Sequence, residues 1–123
     1  MKVINLSEQN SVLNQYLREI RDVEIQKDSL RFRHNIERIG EFMAMEVSKA
    51  LDYQPTEVQT PLATATVNII SDQLVLATIL RAGMPLHQGF LNVFDRAENA
   101  FLSAYRRVND KGELEIVAEY LAA

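Results

Sequence analysis

Apolar positions along this chain recur first at helical spacing and later at strand spacing. Between Ser11 and Asp22, Leu13, Tyr16, Leu17 and Ile20 share one helical face, with Arg18, Glu19 and Arg21 mainly elsewhere. A longer helix is predicted from about Ser29 to Leu51, capped by Asp28 or Ser29. Its stripe is Phe32, Ile36, Ile39, Met43, Val47 and Ala50, and the period runs through Gly40, which reads as a close-packing point. After Leu51 the texture changes. Tyr53-Gln54-Pro55 ends the helical pattern, and Glu57–Thr60 and Ala63–Val67 read as an edge pair or hairpin around Pro61. Residues 68–72 read as a connection.

The run Leu74–Leu80 is apolar at almost every position and predicts a strand buried on both faces. Arg81-Ala82-Gly83 follows as a short cationic turn, and Pro85 suits the first turn of a helix reaching Phe94, burying Leu86, Phe90 and Leu91 or Phe94. Asn99–Tyr105 predicts a second, parallel strand, joined through that helix by a right-handed crossover. Asp110-Lys111-Gly112 is a turn signal between Arg107-Val108 and the alternating segment Leu114–Tyr120, as in a hairpin. The pattern amounts to one α/β domain over 1–123, helical in 1–52 and α/β in 53–123.

Composition narrows the function. The chain has 123 residues, 47% hydrophobic and 24% charged, as in an ordinary globular domain. A net charge of −4 argues against a general nucleic-acid binder. No cysteine is present, which excludes disulfides, a thiolate nucleophile and cysteine-based zinc. No apolar run approaches the roughly 18 residues of a membrane span, and a cytoplasmic protein is the simplest expectation. Four glycines, at 40, 83, 89 and 112, leave no Gly-x-Gly or Walker loop.

Chemistry concentrates where the strands end. Open α/β sheets bind anions beyond the carboxyl ends of their strands, and Arg81 stands there. Arg106 follows the second apolar strand and is expected on the same edge, so two planar guanidinium forks would clamp a pyrophosphate; equally, both would serve as surface arginines that cap strand ends or pair with nearby carboxylates. Gly83 would let backbone amides approach an oxyanion. His87, near the start of the Pro85 helix, reads as structural, and His34 as exposed. Glu46 reads as half of a helix-to-loop ion pair, and Met43, Met45 and Met84 as core fillers.

The segment Ile79-Leu80-Arg81-Ala82-Gly83, continued by Met84-Pro85-Leu86-His87-Gln88-Gly89, resembles the ILRAG segment and following helix of uracil phosphoribosyltransferases. Arg31-Phe32-Arg33 at the start of the long helix and Ser103-Ala104-Tyr105-Arg106 match in order, and the wording is similar to the bacterial branch. The resemblance implies a type I phosphoribosyltransferase-like α/β fold: an incomplete parallel sheet, amino-terminal helices and part of a β-hairpin hood. It implies a glycosyltransferase of pyrimidine salvage that makes UMP and pyrophosphate from uracil and phosphoribosyl pyrophosphate. Arg81, Ala82, Gly83 and Arg106 would hold phosphoribosyl pyrophosphate with Mg2+, in a homo-oligomer such as a dimer; no catalytic residue is assigned. The family's Thr-Gly-Gly-Ser-like loop and its uracil-recognising segment are absent here. A chain matching the amino-terminal half and inactive alone is therefore expected, the alternative being a non-catalytic pyrophosphate-binding or oligomerisation domain.

Overall fold

The computed structural model describes residues 1–122. Three helices, α1 (Leu13–Arg21), α2 (Ser29–Ser48) and α3 (Met84–Val93), accompany five strands. These are β1 (Tyr53–Gln59), β2 (Thr64–Ile70), β3 (Val75–Leu80), β4 (Glu98–Val108) and β5 (Leu114–Ala122). β1 and β2 form a separate antiparallel pair, whereas β3, β4 and β5 form one sheet in that order, β3 parallel and β5 antiparallel to β4. Among the described residues no helix is long and apolar enough to cross a membrane.

Asp28 caps α2, its carboxylate accepting from the Arg31 amide at 3.0 Å. The helix stops at Ser48, three residues before the predicted end, and the Ser48 carbonyl accepts the Tyr53 hydroxyl at 2.7 Å. Its buried face is Asn35, Ile39, Gly40, Ala44 and Ser48. Within the predicted stripe, Phe32, Met43, Val47 and Ala50 are exposed, so the packing seam is rotated from the one expected. The small residue Gly40 belongs to that seam because α3 lies closely against it, and Asn35 because it bonds to Glu19 of α1.

α1 meets α2 through a satisfied polar network. Fully buried Asn35 donates to Glu19 at 2.7 Å and accepts from Arg38 at 3.1 Å, while Arg31 pairs with Glu19 at 3.3 Å. The Arg38 guanidinium lies 5.1 Å from the Tyr16 ring centre. The Asn35 hydrogen bond, helped by Arg31 and Arg38, holds the Glu19 carboxyl below its ordinary value. Glu46 pairs with Lys49 one turn on, a local pair rather than the predicted helix-to-loop one.

α2 and α3 cross glycine to glycine. A Cβ on Gly89 would lie 2.1 Å from the Glu37 carbonyl oxygen, and one on Gly40 would lie 2.7 Å from that of Leu86. Asn92 then bridges the helices, donating to Glu37 and Glu41 at 2.8 Å each. The other side of α3 packs on the sheet. His87 is buried there, its Nε2 2.6 Å from Asn99 Oδ1 on β4 and its ring 5.4 Å from that of Phe101. It is a structural histidine, as expected.

The sheet departs from expectation on one side. Leu76, Thr78 and Leu80 of β3 are partly covered, but Val75 and Ile79 are 56% and 58% exposed. The apolar run suits a strand covered on both faces, and the described residues cover only one. Met43, Met45 and Met84 are exposed rather than buried in a core. The hairpin β1–β2 is also longer than predicted, taking in Tyr53 and residues 68–70. Pro55, opposite Asn68, is harmless because each strand of a two-stranded sheet has a free edge. At its base the Asp52 amide donates to Asp72 and the Ser71 amide to the Asp52 carbonyl. In the β4–β5 turn, Gly112 has φ +78°, a conformation that favours glycine.

Gly89→Ala is expected to destabilise the chain by about 1–3 kcal/mol, because a methyl group has no room at the crossing; urea unfolding checks this, and an unchanged midpoint refutes the close approach. The depressed Glu19 carboxyl contributes stability above the ordinary glutamate value that is lost as pH falls through its folded value. Glu19→Gln should therefore lower the melting temperature at neutral pH and progressively less in acid. A gap independent of pH contradicts the role of the charge.

Candidate functional site

β3 ends at Leu80, level with Ser103 on β4, and the chain turns there through Arg81, Ala82 and Gly83 into α3. The Leu80–Arg81 peptide is cis. The turn borders an open cleft of about 1000 Å³ that Ser103, Ala104 and Tyr105 of β4 also line. Sequence reasoning named Arg81, Ala82 and Gly83, and the fold brings these three together at the rim.

Gly83 serves the turn itself. Its amide donates to the Ile79 carbonyl at 3.2 Å, so this N–H is already committed to the turn. A Cβ at Gly83 would fall 2.3 Å from Thr78 Oγ1 and 2.8 Å from the Ile79 carbonyl oxygen. With φ −72° the backbone needs no glycine for its torsion; the need is for space. Thr78, a lone hydroxyl in an apolar strand, was not singled out from the sequence, nor were the lining positions Ser103 and Tyr105. Their only signal was strand register, which becomes visible once β3 and β4 are paired.

Arg81 is exposed, and among the described residues it forms no ion pair or hydrogen bond through its side chain. The same holds for Arg106, whereas Arg107 pairs with Glu115. The carboxylate-paired alternative for Arg81 and Arg106 therefore has no support in the described residues. Arg106 is not at a strand end, however. β4 continues to Val108 because β5 pairs with it, and Arg106 sits opposite Ile116. It stands three positions past Ser103, about 10 Å along an extended strand, and on the sheet face opposite Tyr105. The cleft lining stops short of it. The two guanidinium groups are thus placed at different depths rather than as a matched fork.

A smaller hollow of about 320 Å³ lies at the other end of β3, lined by Asp72, Asp95 and Arg96 among others. Asp72 there is occupied by the Asp52 amide at 2.8 Å. Its two acidic groups against one arginine make it a poor anion site. His34 is exposed whereas His87 is buried, and no cluster of three or more His, Cys, Asp or Glu side chains forms among the described residues.

A family model for uracil phosphoribosyltransferase matches residues 7–120. The chain belongs to the uracil phosphoribosyltransferase family. A uracil phosphoribosyltransferase of Porphyromonas gingivalis is 54% identical over 123 residues, covering all of this chain and 57% of that protein. One from Pyrococcus furiosus is 32% identical over 111 residues, 89% of this chain and 47% of its own length. The chain thus spans about half the length of the curated relatives it matches. A solved structure of an Aquifex aeolicus protein superposes with TM-score 0.70 at 22% identity, covering 92% of this chain and 53% of that one, a likeness of fold. The mixed α/β architecture, helices first and then a partial sheet, is that of a partial phosphoribosyltransferase-like fold.

Gly83→Ala is expected to push the turn away from Thr78 and lower the melting temperature, and Thr78→Ala in the same chain should recover part of the loss by removing the clashing hydroxyl. Melting curves of the single and double variants check this; no recovery in the double variant argues against the contact.

Proposed function

We propose that this chain supplies the diphosphate-binding part of a uracil phosphoribosyltransferase, a glycosyltransferase of pyrimidine salvage. In that reaction a ribosyl 5-phosphate passes from phosphoribosyl pyrophosphate to uracil. The bond from the anomeric carbon to the diphosphate oxygen breaks, a bond to a uracil nitrogen forms, and that nitrogen loses its proton. The observation that carries the reading is Arg81, unpaired among the described residues, on a short turn between a strand and a helix at the rim of a cleft. A guanidinium there donates two parallel hydrogen bonds to phosphate oxygens and offsets the charge that gathers on departing pyrophosphate. Ala82 and Gly83 keep the turn short enough for that approach. Arg106, further along β4 and outside the cleft lining, is proposed as a second contact on the same donor.

Magnesium enters as a counter-ion carried by the diphosphate. Among the described residues no carboxylate lines the cleft, so the diphosphate rather than the cleft wall is proposed to hold the ion there. Uracil recognition and the hold on the ribose 5-phosphate are assigned to groups outside this sequence, because no Thr-Gly-Gly-Ser-like run occurs among its four glycines. The chain alone is therefore proposed to bind pyrophosphate without completing the transfer, in a cytoplasmic homo-oligomer.

The test is a thermal shift with pyrophosphate, parent against Arg81→Ala, alongside an assay for UMP. We expect a shift in the parent, a much smaller one in the variant, and no detectable UMP from either. An equal shift in both removes Arg81 from the binding role, and robust turnover by the parent overturns the division of labour.

A further inference from the structure

The face of β4 that carries α3 is marked by Phe101, whose ring lies 5.4 Å from that of His87. Side chains two and four positions further on share that face, which puts Ser103 and Tyr105 on it. β3 ends level with Ser103, and Tyr105 stands about 7 Å further along β4. It lines the cleft and is 47% exposed. The polar side chains of that lining are Arg81 and three uncharged hydroxyls, those of Thr78, Ser103 and Tyr105. The hydroxyls are not equivalent. Thr78 Oγ1 lies 2.3 Å from where a Cβ on Gly83 would fall, so the turn covers it. Ser103 stands opposite Glu119 on β5, and a carboxylate on the same face repels an anion there. Tyr105 stands opposite Val117, which brings no charge. Among the described residues the Tyr53 hydroxyl is bonded, to the Ser48 carbonyl, and that of Tyr105 is not.

We infer that Tyr105 is a further ligand-binding residue, one that sets a preference for diphosphate over a single phosphate. Its hydroxyl donates to the phosphoryl group farther from Arg81. A tyrosine is suited to this because its donor sits at the tip of a rigid ring with two rotatable bonds, so ordering it costs little. A hydrogen bond from it to an ionised phosphate oxygen is stronger than one between neutral groups. Arg81 approaches the ligand from the turn and Tyr105 from the strand beyond the end of β3. A single phosphate on the guanidinium leaves the hydroxyl unused, whereas a diphosphate engages both. The inference rests on the diphosphate reading above and adds a contact from within the cleft lining, which Arg106 lies outside.

Calorimetric titrations with pyrophosphate and with phosphate test it on the parent, Tyr105→Phe and Arg81→Ala. We expect Tyr105→Phe to bind pyrophosphate about tenfold more weakly, the loss of one hydrogen bond to a charged group, and to bind phosphate as the parent does. Arg81→Ala should weaken both anions. Tyr16→Phe, which removes a hydroxyl from α1, should match the parent with each. Unchanged pyrophosphate affinity in Tyr105→Phe, or an equal loss for both anions, overturns the inference. Its failure is distinguishable from failure of the diphosphate reading. A parent that binds no pyrophosphate defeats both, whereas affinity lost in Arg81→Ala and kept in Tyr105→Phe defeats this inference alone. A second measurement needs no variant. In the unmutated chain, the carbon-13 resonance of the Tyr105 ring carbon bearing the hydroxyl should move with pyrophosphate and stay with phosphate. A resonance that stays with both overturns the proposal even if Tyr105→Phe does not fold.

Discussion

Where α2 crosses α3, Gly40 and Gly89 put the two helix backbones nearly in contact, and the position of everything after β3 follows from that approach. α3 begins at the Arg81–Gly83 turn, so the depth at which α3 sits on α2 fixes where the turn projects. Asn92, held by Glu37 and Glu41, resists rotation of one helix on the other. From its opposite side α3 is anchored to β4 through His87 and Asn99. Close packing transmits such constraints because interiors have little slack. A helix pair separated by ordinary side chains would displace the turn from the end of β3.

The cationic rim is then a consequence of a short connection. Three residues take the chain from strand to helix, and Gly83 allows this only because its missing side chain leaves room for Thr78. The turn consumes its own Gly83 amide, while the exposed Arg81 side chain forms no ion pair or hydrogen bond among the described residues. Arg106 differs in kind. It is a position within a long strand, set by the pairing of β4 with β5.

Much of the exposed surface is apolar. The free side of β3, the exposed part of the α2 stripe and the β1–β2 hairpin, bound mainly at its base, all lack partners among the described residues. A two-stranded hairpin is marginal by itself. These features agree with a chain that spans about half the length of the curated relatives it matches.

Local patterning sufficed to locate the helices, the β3–α3–β4 unit, the Asp28 cap and the Arg81 turn, because each depends on neighbours within a few residues. Gly40 was legible as a packing point since an apolar period ran through it. The identity of its partner Gly89 was not, since two sequence-distant glycines announce nothing until helices cross. The same reason explains the misplaced α2 stripe: periodicity finds an apolar face, but which face is buried depends on what arrives to cover it. Composition of β3 declared a strand suited to cover on both sides, and only the assembled layers decided that one side stays bare. Arg106 shows the limit most plainly. Its residue type and the preceding strand were readable in order, yet its depth along the sheet belongs to a hydrogen-bond register that local sequence does not encode.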